Sequence, residues 1–142
     1  MNFCELWETD MTKQEYIANN RTWLAEKTAE PGIFLIDKGI CYRIIKSGKP
    51  GAPSPGRNSV IMAHYTGKTI NGRTFDTSRP GTPPAFRLRD LIPGWIIALQ
   101  KMKVGDRWEI YIPAEQAYGR LSQPGIPAGS TLIFDIELLG VS

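Results

Sequence analysis

Residues 60–77 read VIMAHYTGKTINGRTFDT, two β-prone segments on either side of an Asn-Gly pair. Polar and apolar residues alternate over residues 60–68, which is the period of a strand with one buried face. Asn71 and Gly72 are the residues that a tight hairpin turn prefers, because both turn positions need a positive φ angle. We therefore predict a strand over residues 60–68, a tight turn at Asn71-Gly72 and a returning strand over residues 73–77.

The rest of the C-terminal half predicts further strands and one short helix. Residues 107–112 alternate between polar and apolar side chains, and so do residues 131–138. Pro93 suits the first turn of a helix, where its missing N–H costs nothing, and that helix would run to about Met102. The pattern predicts an α+β fold, in which one short helix lies across the apolar face of an antiparallel sheet.

A longer helix is predicted near the start of the chain, over residues 12–29. Thr12 and Glu15 have the spacing of a capping box, and Met11 and Tyr16 are placed as the hydrophobic staple around it. One face of this helix would carry the apolar side chains of Tyr16, Ile17, Trp23 and Leu24.

We divide the chain into an N-terminal amphipathic helical extension, residues 1–32, and one domain, residues 33–142. Three roles stay open for the extension: packing on the domain, a contact with a second copy, or a mobile arm. Packing is the favoured interpretation, because an apolar helix face stabilises a protein most simply by burial.

Composition limits the class of protein. The chain has 142 residues and a formal net charge of +3 from 17 basic and 14 acidic residues, with no basic run, so we expect no nucleic acid partner. No apolar stretch approaches the ~20 residues of a membrane span. Residues 1–8 lack the pattern of a signal peptide, so we expect a cytoplasmic protein as the chain stands, and a periplasmic one if a leader was removed. A disulfide between Cys4 and Cys41 stays open.

Several kinds of catalytic chemistry have no support in the sequence. His64 is the single histidine and lies in a strand-like alternation, which favours a surface or hydrogen-bonded structural role. No motif of a serine hydrolase, a zinc protease or a phosphate-binding loop is present. We expect no metal and no cofactor.

Six motifs, in order, resemble the FKBP-type peptidyl-prolyl cis/trans isomerases. They are Ala63-His64-Tyr65-Thr66-Gly67, residues 72–78, Leu91-Ile92-Pro93-Gly94-Trp95, residues 102–107, Ala117-Tyr118-Gly119 with residues 124–127, and residues 131–139. The resemblance covers about residues 33–141, and the helical extension is similar to that of bacterial members. It implies an antiparallel half-barrel sheet wrapped around the short central helix, with a ligand pocket between them.

The resemblance also implies the residues of that pocket. The catalytic positions would be Tyr65, Phe75, Asp76, Ile92, Trp95, Tyr118 and Phe134, and the substrate-binding rim would be Leu91, Ile126 and Gln123. Two places depart from the family pattern: residues 83–85 are Pro-Pro-Ala where many members carry an extra aromatic side chain, and Gln123 stands where some have histidine.

The resemblance implies a protein that accelerates rotation about X-Pro bonds and assists protein folding. Its partners would be proline-containing polypeptides and macrolide inhibitors, and we expect a monomer. The alternative hypothesis is a non-catalytic chaperone or peptide-binding module with the same fold.

Overall fold

The computed structural model describes residues 12–142. Two helices, seven strands and two short 3-10 turns follow one another along this part of the chain. They are α1 (Lys13–Thr28), β1 (Phe34–Leu35), β2 (Cys41–Lys46), β3 (Val60–Lys68), β4 (Thr74–Thr77), β5 (Ala85–Arg87), the turn Leu88–Asp90, α2 (Pro93–Leu99), β6 (Arg107–Ile112), the turn Ala114–Gln116 and β7 (Leu132–Val141).

The seven strands form one antiparallel sheet in the order β1-β2-β6-β7-β3-β4, with β5 added to β3. The long strand β7 lies at the centre, where Ile136 pairs with Tyr65 of β3 and Phe134 pairs with Ile110 of β6. Its inward side chains alternate with half-buried ones, as the sequence predicts. The predicted α+β fold, a half-barrel sheet around a short helix, is confirmed.

The core lies between the inner face of the sheet and α2. Trp95, Ala98 and Leu99 of α2 are buried there. They pack with side chains from the turn before α2 and from the strands, among them Leu88, Ile61, Ala63, Ile110, Ile112, Leu132, Phe134, Ile136 and Leu138. Pro93 occupies the first turn of α2 as predicted, but the helix ends at Leu99, three residues earlier than expected.

The turn between β3 and β4 differs from the predicted tight turn. The Thr69 N–H donates to the Arg73 carbonyl and the Gly72 N–H donates to the Thr69 carbonyl, which defines a three-residue loop. Gly72 has a φ of 85°, whereas Asn71 does not have a positive φ. The side chain of Asn71 explains the difference, because its Oδ1 accepts from the Arg73 N–H two residues on and so holds Asn71 in an ordinary turn conformation.

Helix α1 packs on the outer face of the sheet, and this changes the environment of β6. The alternation predicts that Tyr111 faces solvent, but it is buried against α1, where its ring lies 5.9 Å from that of Trp23. Burial, with the hydrogen bond to Glu109, raises the pKa of the Tyr111 hydroxyl. The β6 segment is therefore covered on both faces.

Helix α1 docks through half-buried apolar side chains and one buried polar residue. Tyr16, Ile17, Trp23 and Leu24 are half-buried, while Asn20 is buried at 1% exposure. The helix and its Thr12 cap, which accepts from the Glu15 N–H at 3.1 Å, agree with the prediction, which did not include the burial of Asn20.

Asn20 and its neighbours join α1 to the residues just before β7. The Asn20 Oδ1 accepts from the Thr131 N–H at 2.8 Å, and the Tyr16 hydroxyl lies 2.6 Å from the Ser130 Oγ. Gly129 has a φ of 81°, and a Cβ there would lie 2.3 Å from the Cγ1 of Ile17. Only glycine allows α1 to approach this closely.

Three smaller predictions concern single side chains and the membrane. His64 is a hydrogen-bonded structural residue as predicted, with its Nδ1 2.8 Å from the Ser78 Oγ. Cys41 is buried beside Thr28, whereas Cys4 and Met11 lie outside the described residues, so the disulfide and the staple stay predictions. In the part of the chain that the structure describes, neither helix has the length and apolar character needed to cross a bilayer.

Candidate functional site

Five aromatic rings form a continuous cluster at the open end of the core. The ring of Trp95 lies 5.5 Å from Tyr65, 5.3 Å from Phe134 and 5.9 Å from Phe86, and Phe75 lies 5.6 Å from Phe134. Every pair meets edge to face, with interplanar angles between 74° and 90° in these four contacts. Such contacts fix ring positions beyond simple burial.

The cluster is assembled from α2 and four strands. Trp95 comes from α2, while Tyr65, Phe75, Phe86 and Phe134 come from β3, β4, β5 and β7. Trp95 and Phe134 are each 5% exposed and form the base of the cluster, whereas the other three rings are half-buried and lie around it. The arrangement is an apolar cluster in which two buried rings are flanked by three half-buried ones.

Gly67 makes room for two of the rings. A Cβ at this position of β3 would lie 2.5 Å from the Cζ of Phe75 and 2.8 Å from the Cε1 of Phe134. These distances are too short for any side chain, so a larger residue would displace both rings. Steric contact with these two rings therefore explains why the Ala63–Gly67 motif ends in glycine.

One carboxylate marks the polar edge of the cluster. The Tyr65 hydroxyl donates to Oδ2 of the exposed Asp76 at 2.6 Å. Burial raises the pKa of Tyr65 to about 12, and the hydrogen bond to Asp76 and the charges of Asp76 and Tyr118 add to this shift. Tyr65 therefore stays a protonated donor at neutral pH, and its hydroxyl orients the carboxylate.

The entry to α2 provides a rim and an available donor. Leu91 and Ile92 are half-buried and pack against the core beside the rings. Ile92 is the N-cap of α2, with φ −60° and ψ 151°, and within residues 12–142 its backbone N–H has no hydrogen-bond partner. An N–H at a helix start without an internal partner is ready to donate to a ligand.

The segment 117–131 brings the remaining predicted residues to the site. Tyr118 is half-buried against the core, and Ile126 is buried at 5% exposure. The Gly129 N–H donates to the Gly119 carbonyl at 2.8 Å and closes this segment into a loop. The charge of Tyr118 contributes to the raised pKa of Tyr65, so the two hydroxyls lie in the same region.

Gln123 is the one predicted residue that faces away from the aromatic cluster. It pairs with Ile126 through two backbone hydrogen bonds of 2.9 and 2.8 Å, but its side chain is exposed and lines a separate groove. The structure thus brings nine of the ten predicted residues around the rings and places Gln123 at the outer side of the loop.

Phe86 is the site residue that the sequence analysis missed. The departure from the family pattern at residues 83–85 suggested a lost aromatic side chain, yet Phe86 packs against Tyr65 and Trp95. A signal was present: Phe86 and Leu88 face inward while Ala85 and Arg87 are exposed, the period of a short strand. Only residues 85–87 separate the pair Pro83-Pro84 from the turn Leu88–Asp90, and three residues were too few to predict a strand.

This geometry suits binding and reshaping of an apolar ligand more than acid-base chemistry. The surface is aromatic, with the oriented Asp76 carboxylate at its edge and the Ile92 N–H, which has no partner within residues 12–142, at the start of α2. A proline ring, which is apolar and lacks an N–H, fits such a surface, and the amides on either side need the hydrogen-bonding groups at the rim.

Comparisons with known proteins show the family of this chain. A family profile described as FKBP-type peptidyl-prolyl cis-trans isomerase matches residues 51–139. The chain is 39% identical to the outer membrane protein MIP of Legionella longbeachae and 40% identical to the FKBP-type 22 kDa peptidyl-prolyl cis-trans isomerase of Escherichia coli. These alignments cover 94% and 90% of the chain but 58% and 62% of the relatives, so the chain spans less than two thirds of their length.

A solved structure extends the agreement to three dimensions. The crystal structure of a peptidyl-prolyl cis-trans isomerase from Pseudomonas syringae pv. tomato superposes with a TM-score of 0.86 at 35% identity. The match covers 94% of this chain and 98% of that one, so it includes the helix α1 as well as the sheet. From the ordered motifs, the aromatic cluster and these matches it follows that the chain belongs to the family of FKBP-type peptidyl-prolyl cis-trans isomerases.

Proposed function

We propose that residues 33–142 catalyse cis/trans isomerisation of X-Pro peptide bonds in polypeptides, and so assist protein folding. The observation that carries this proposal is the cluster of edge-to-face rings, accompanied by the Ile92 N–H and the Tyr65–Asp76 pair. The isomerase names of the relatives favour catalysis over a non-catalytic module.

Such a pocket accelerates rotation by stabilising the twisted amide relative to the planar one. Rotation breaks amide resonance, which sets an uncatalysed barrier of about 18–20 kcal/mol. The planar amide is the more dipolar state, so a dry aromatic environment disfavours it more than the twisted transition state. The mechanism needs no proton transfer.

The base of the pocket would hold the proline ring. Trp95 is buried beneath the open side and would contact the ring from below, with Tyr65, Phe75 and Phe134 as walls. Phe86, behind Tyr65 and Trp95, would keep both in position.

The rim would orient the peptide on either side of proline. The Ile92 N–H and the Tyr118 hydroxyl would donate to substrate carbonyls, and the Asp76 carboxylate would shape the polar side of the site. Leu91 and Ile126 would contact the side chain before proline. Gln123, being turned outward, would contact only residues farther along the substrate.

A protease-coupled isomerisation assay tests the proposal. Peptides that differ in the residue before proline are offered to the full chain, and the rate of cis-to-trans conversion is compared with the uncatalysed rate. We expect a faster conversion with apolar residues before proline. A rate at background across the whole panel would reject catalysis and leave the peptide-binding module as the better interpretation.

Macrolide binding follows from the same apolar surface. A macrolide such as rapamycin presents a large apolar body with carbonyl groups, and would compete with the peptide for the rings and the Ile92 N–H. Inhibition of the assay by rapamycin, with the concentration for half inhibition measured at two substrate levels, tests this competition. Inhibition that does not depend on substrate level would place the macrolide elsewhere.

We propose a monomer in solution, because α1 uses its contact face on its own domain. Light scattering at two protein concentrations should give one mass near 15.9 kDa.

We further propose a location in the cell envelope, supported by the name of the Legionella relative. Fractionation of cells that express the whole natural gene tests the location, and recovery in the cytoplasm alone would reject it.

A further inference from the structure

A groove separate from the aromatic cluster lies on the outer side of the loop 117–131. It has a volume of about 500 Å³ and runs between the start of α1, the β3–β4 turn and residues 120–128. None of the five rings lines it. Its volume lies within the ~300–1,000 Å³ typical of sites for small ligands.

The lining of this groove is basic. Lys13, Arg73 and Arg120 contribute three positive side chains, while no Asp or Glu of residues 12–142 is among the lining residues. Lys13 and Arg120 form no ion pair within that part of the chain. A concave surface with charges of one sign raises the local concentration of ligands of the opposite sign.

The groove adjoins the aromatic cluster. Ile126 lines the groove and also packs in the core cluster beside the rings. Gly125 lines it as well, and a Cβ there would lie 3.1 Å from the Cβ of Phe75. Arg73 precedes Phe75 by two residues, which is about 7 Å along an extended chain.

We propose that this basic groove binds the stretch of polypeptide substrate that flanks the isomerised proline, and that it favours acidic residues there. The proposal rests on the proposed function, because it needs a peptide held at the rings. Such a peptide would pass Phe75 and Ile126 and reach Lys13 and Arg120 without leaving the surface. The groove then determines specificity outside the X-Pro pair itself.

The test compares three peptides with the same short X-Pro core. One is the core alone, one carries three glutamates on one flank, and one carries three lysines there; a second set places the charges on the other flank. For the full chain we expect kcat/KM about fivefold higher for the glutamate peptide than for the lysine peptide on one flank, since exposed ion pairs contribute modestly. The preference should fall as salt is raised, because salt screens exposed charges.

Charge-reversed variants assign the preference to the groove. Lys13→Glu with Arg120→Glu should abolish it and leave the rate on the core peptide unchanged. The matched control is Lys49→Glu with Arg57→Glu, two exposed positions in the segment before β3, at the opposite end of that strand from the groove. The control makes the same change in net charge and should keep the preference. Equal rates for both charged peptides, or equal behaviour of the two variants, would overturn the proposal.

Two further arms separate this proposal from its alternatives. If the core peptide is not accelerated at all, the proposed function fails, and the anisotropy of labelled glutamate and lysine peptides still shows whether the groove selects acidic chains. Residues 1–11 contain Glu5, Glu8 and Asp10 and no basic side chain, so they are a competing occupant. If the preference for acidic peptides appears only in a variant that begins at Thr12, residues 1–11 are the occupant of the groove in the full chain, and the proposal is overturned.

Discussion

The hydroxyl of Tyr65 on β3 donates to the carboxylate of Asp76 on β4 at 2.6 Å, and this bond closes the polar edge of an otherwise apolar site. Tyr65 also contacts Trp95 and Phe86 through its ring. One side chain therefore fixes both the aromatic wall and the direction of the carboxylate beside it.

Replacement of that carboxylate tests its role. We expect Asp76→Asn to lower kcat/KM for an X-Pro peptide about tenfold, because the hydrogen bond from Tyr65 loses its charged acceptor, a loss of ~1.4 kcal/mol. The far-UV spectrum should not change, since Asp76 is exposed. Asp37→Asn, at the distant turn before β2, is the matched control. An unchanged rate in Asp76→Asn would show that the polar edge takes no part in turnover.

The raised pKa of Tyr65 gives a second test. Tyr65 and Tyr111 should ionise late on alkaline titration, with Tyr65 at about 12 against an ordinary value of about 10. Because the folded-state pKa is the higher one, the contribution of Tyr65 to stability is complete below pH about 10 and is lost as the pH rises toward 12.

Absorbance of the tyrosinate ion measures this order. Tyr65→Phe should remove one late-ionising group. In guanidinium all five tyrosines of the natural chain should ionise together. If Tyr65→Phe still shows a late-ionising tyrosine in addition to Tyr111, the environment described for the Tyr65 hydroxyl is contradicted.

The two tryptophans of the core allow stability and activity to be separated. Trp95 and Trp108 are each 5% exposed. Trp95 belongs to the aromatic site, whereas Trp108 lies in β6 and its ring stacks on that of Tyr42, with 3.9 Å between the ring centroids. Either change to alanine should lower the free energy of unfolding by about 3–5 kcal/mol. We expect only Trp95→Ala to abolish activity under conditions in which both variants remain folded.

Chemical unfolding and the isomerase assay on the same samples make the comparison. If Trp108→Ala loses as much kcat/KM as Trp95→Ala while still folded, the activity depends on general core packing, and the site has been misplaced.

The buried Asn20 predicts a cost for a single polar substitution on α1. Asn20→Ala leaves the Thr131 N–H without its acceptor, and a buried donor without a partner costs about 1–3 kcal/mol. Gln14→Ala, at an exposed position of the same helix, should change the free energy of unfolding by less than about 0.5 kcal/mol. Urea denaturation of the two variants checks this, and equal stabilities would contradict the docking role of Asn20.

Much of the fold could be predicted because its signals are local. The alternation in β3, β6 and β7, the proline at the start of α2 and the cap at Thr12 each depend on residues close in sequence. The turn at Asn71-Gly72 was predicted in the right place but with the wrong conformation, since the Asn71 side chain bonds the Arg73 N–H and favours an ordinary turn over one with two positive φ angles.

The parts that the sequence did not reveal depend on partners far along the chain. No prediction was made for Asn20, because its burial depends on the Thr131 N–H, 111 residues away. Tyr111 was assigned to a solvent-facing position because nothing local shows that α1 covers that face. For the site, the ordered motifs suggested which residues would meet, but only the fold shows that Phe86 joins them and that Gln123 does not.

The loop 117–131 contacts α1 at one end and the candidate site at the other. Asn20 and Tyr16 hold residues 130 and 131, while Tyr118 and Ile126 lie beside the rings. Thermodynamic linkage is reciprocal, so if docking of α1 orders this loop for a ligand, the ligand must tighten the docking of α1 by the same factor. Slower hydrogen exchange in α1 would then report occupancy of the aromatic cluster, to which α1 contributes no ring.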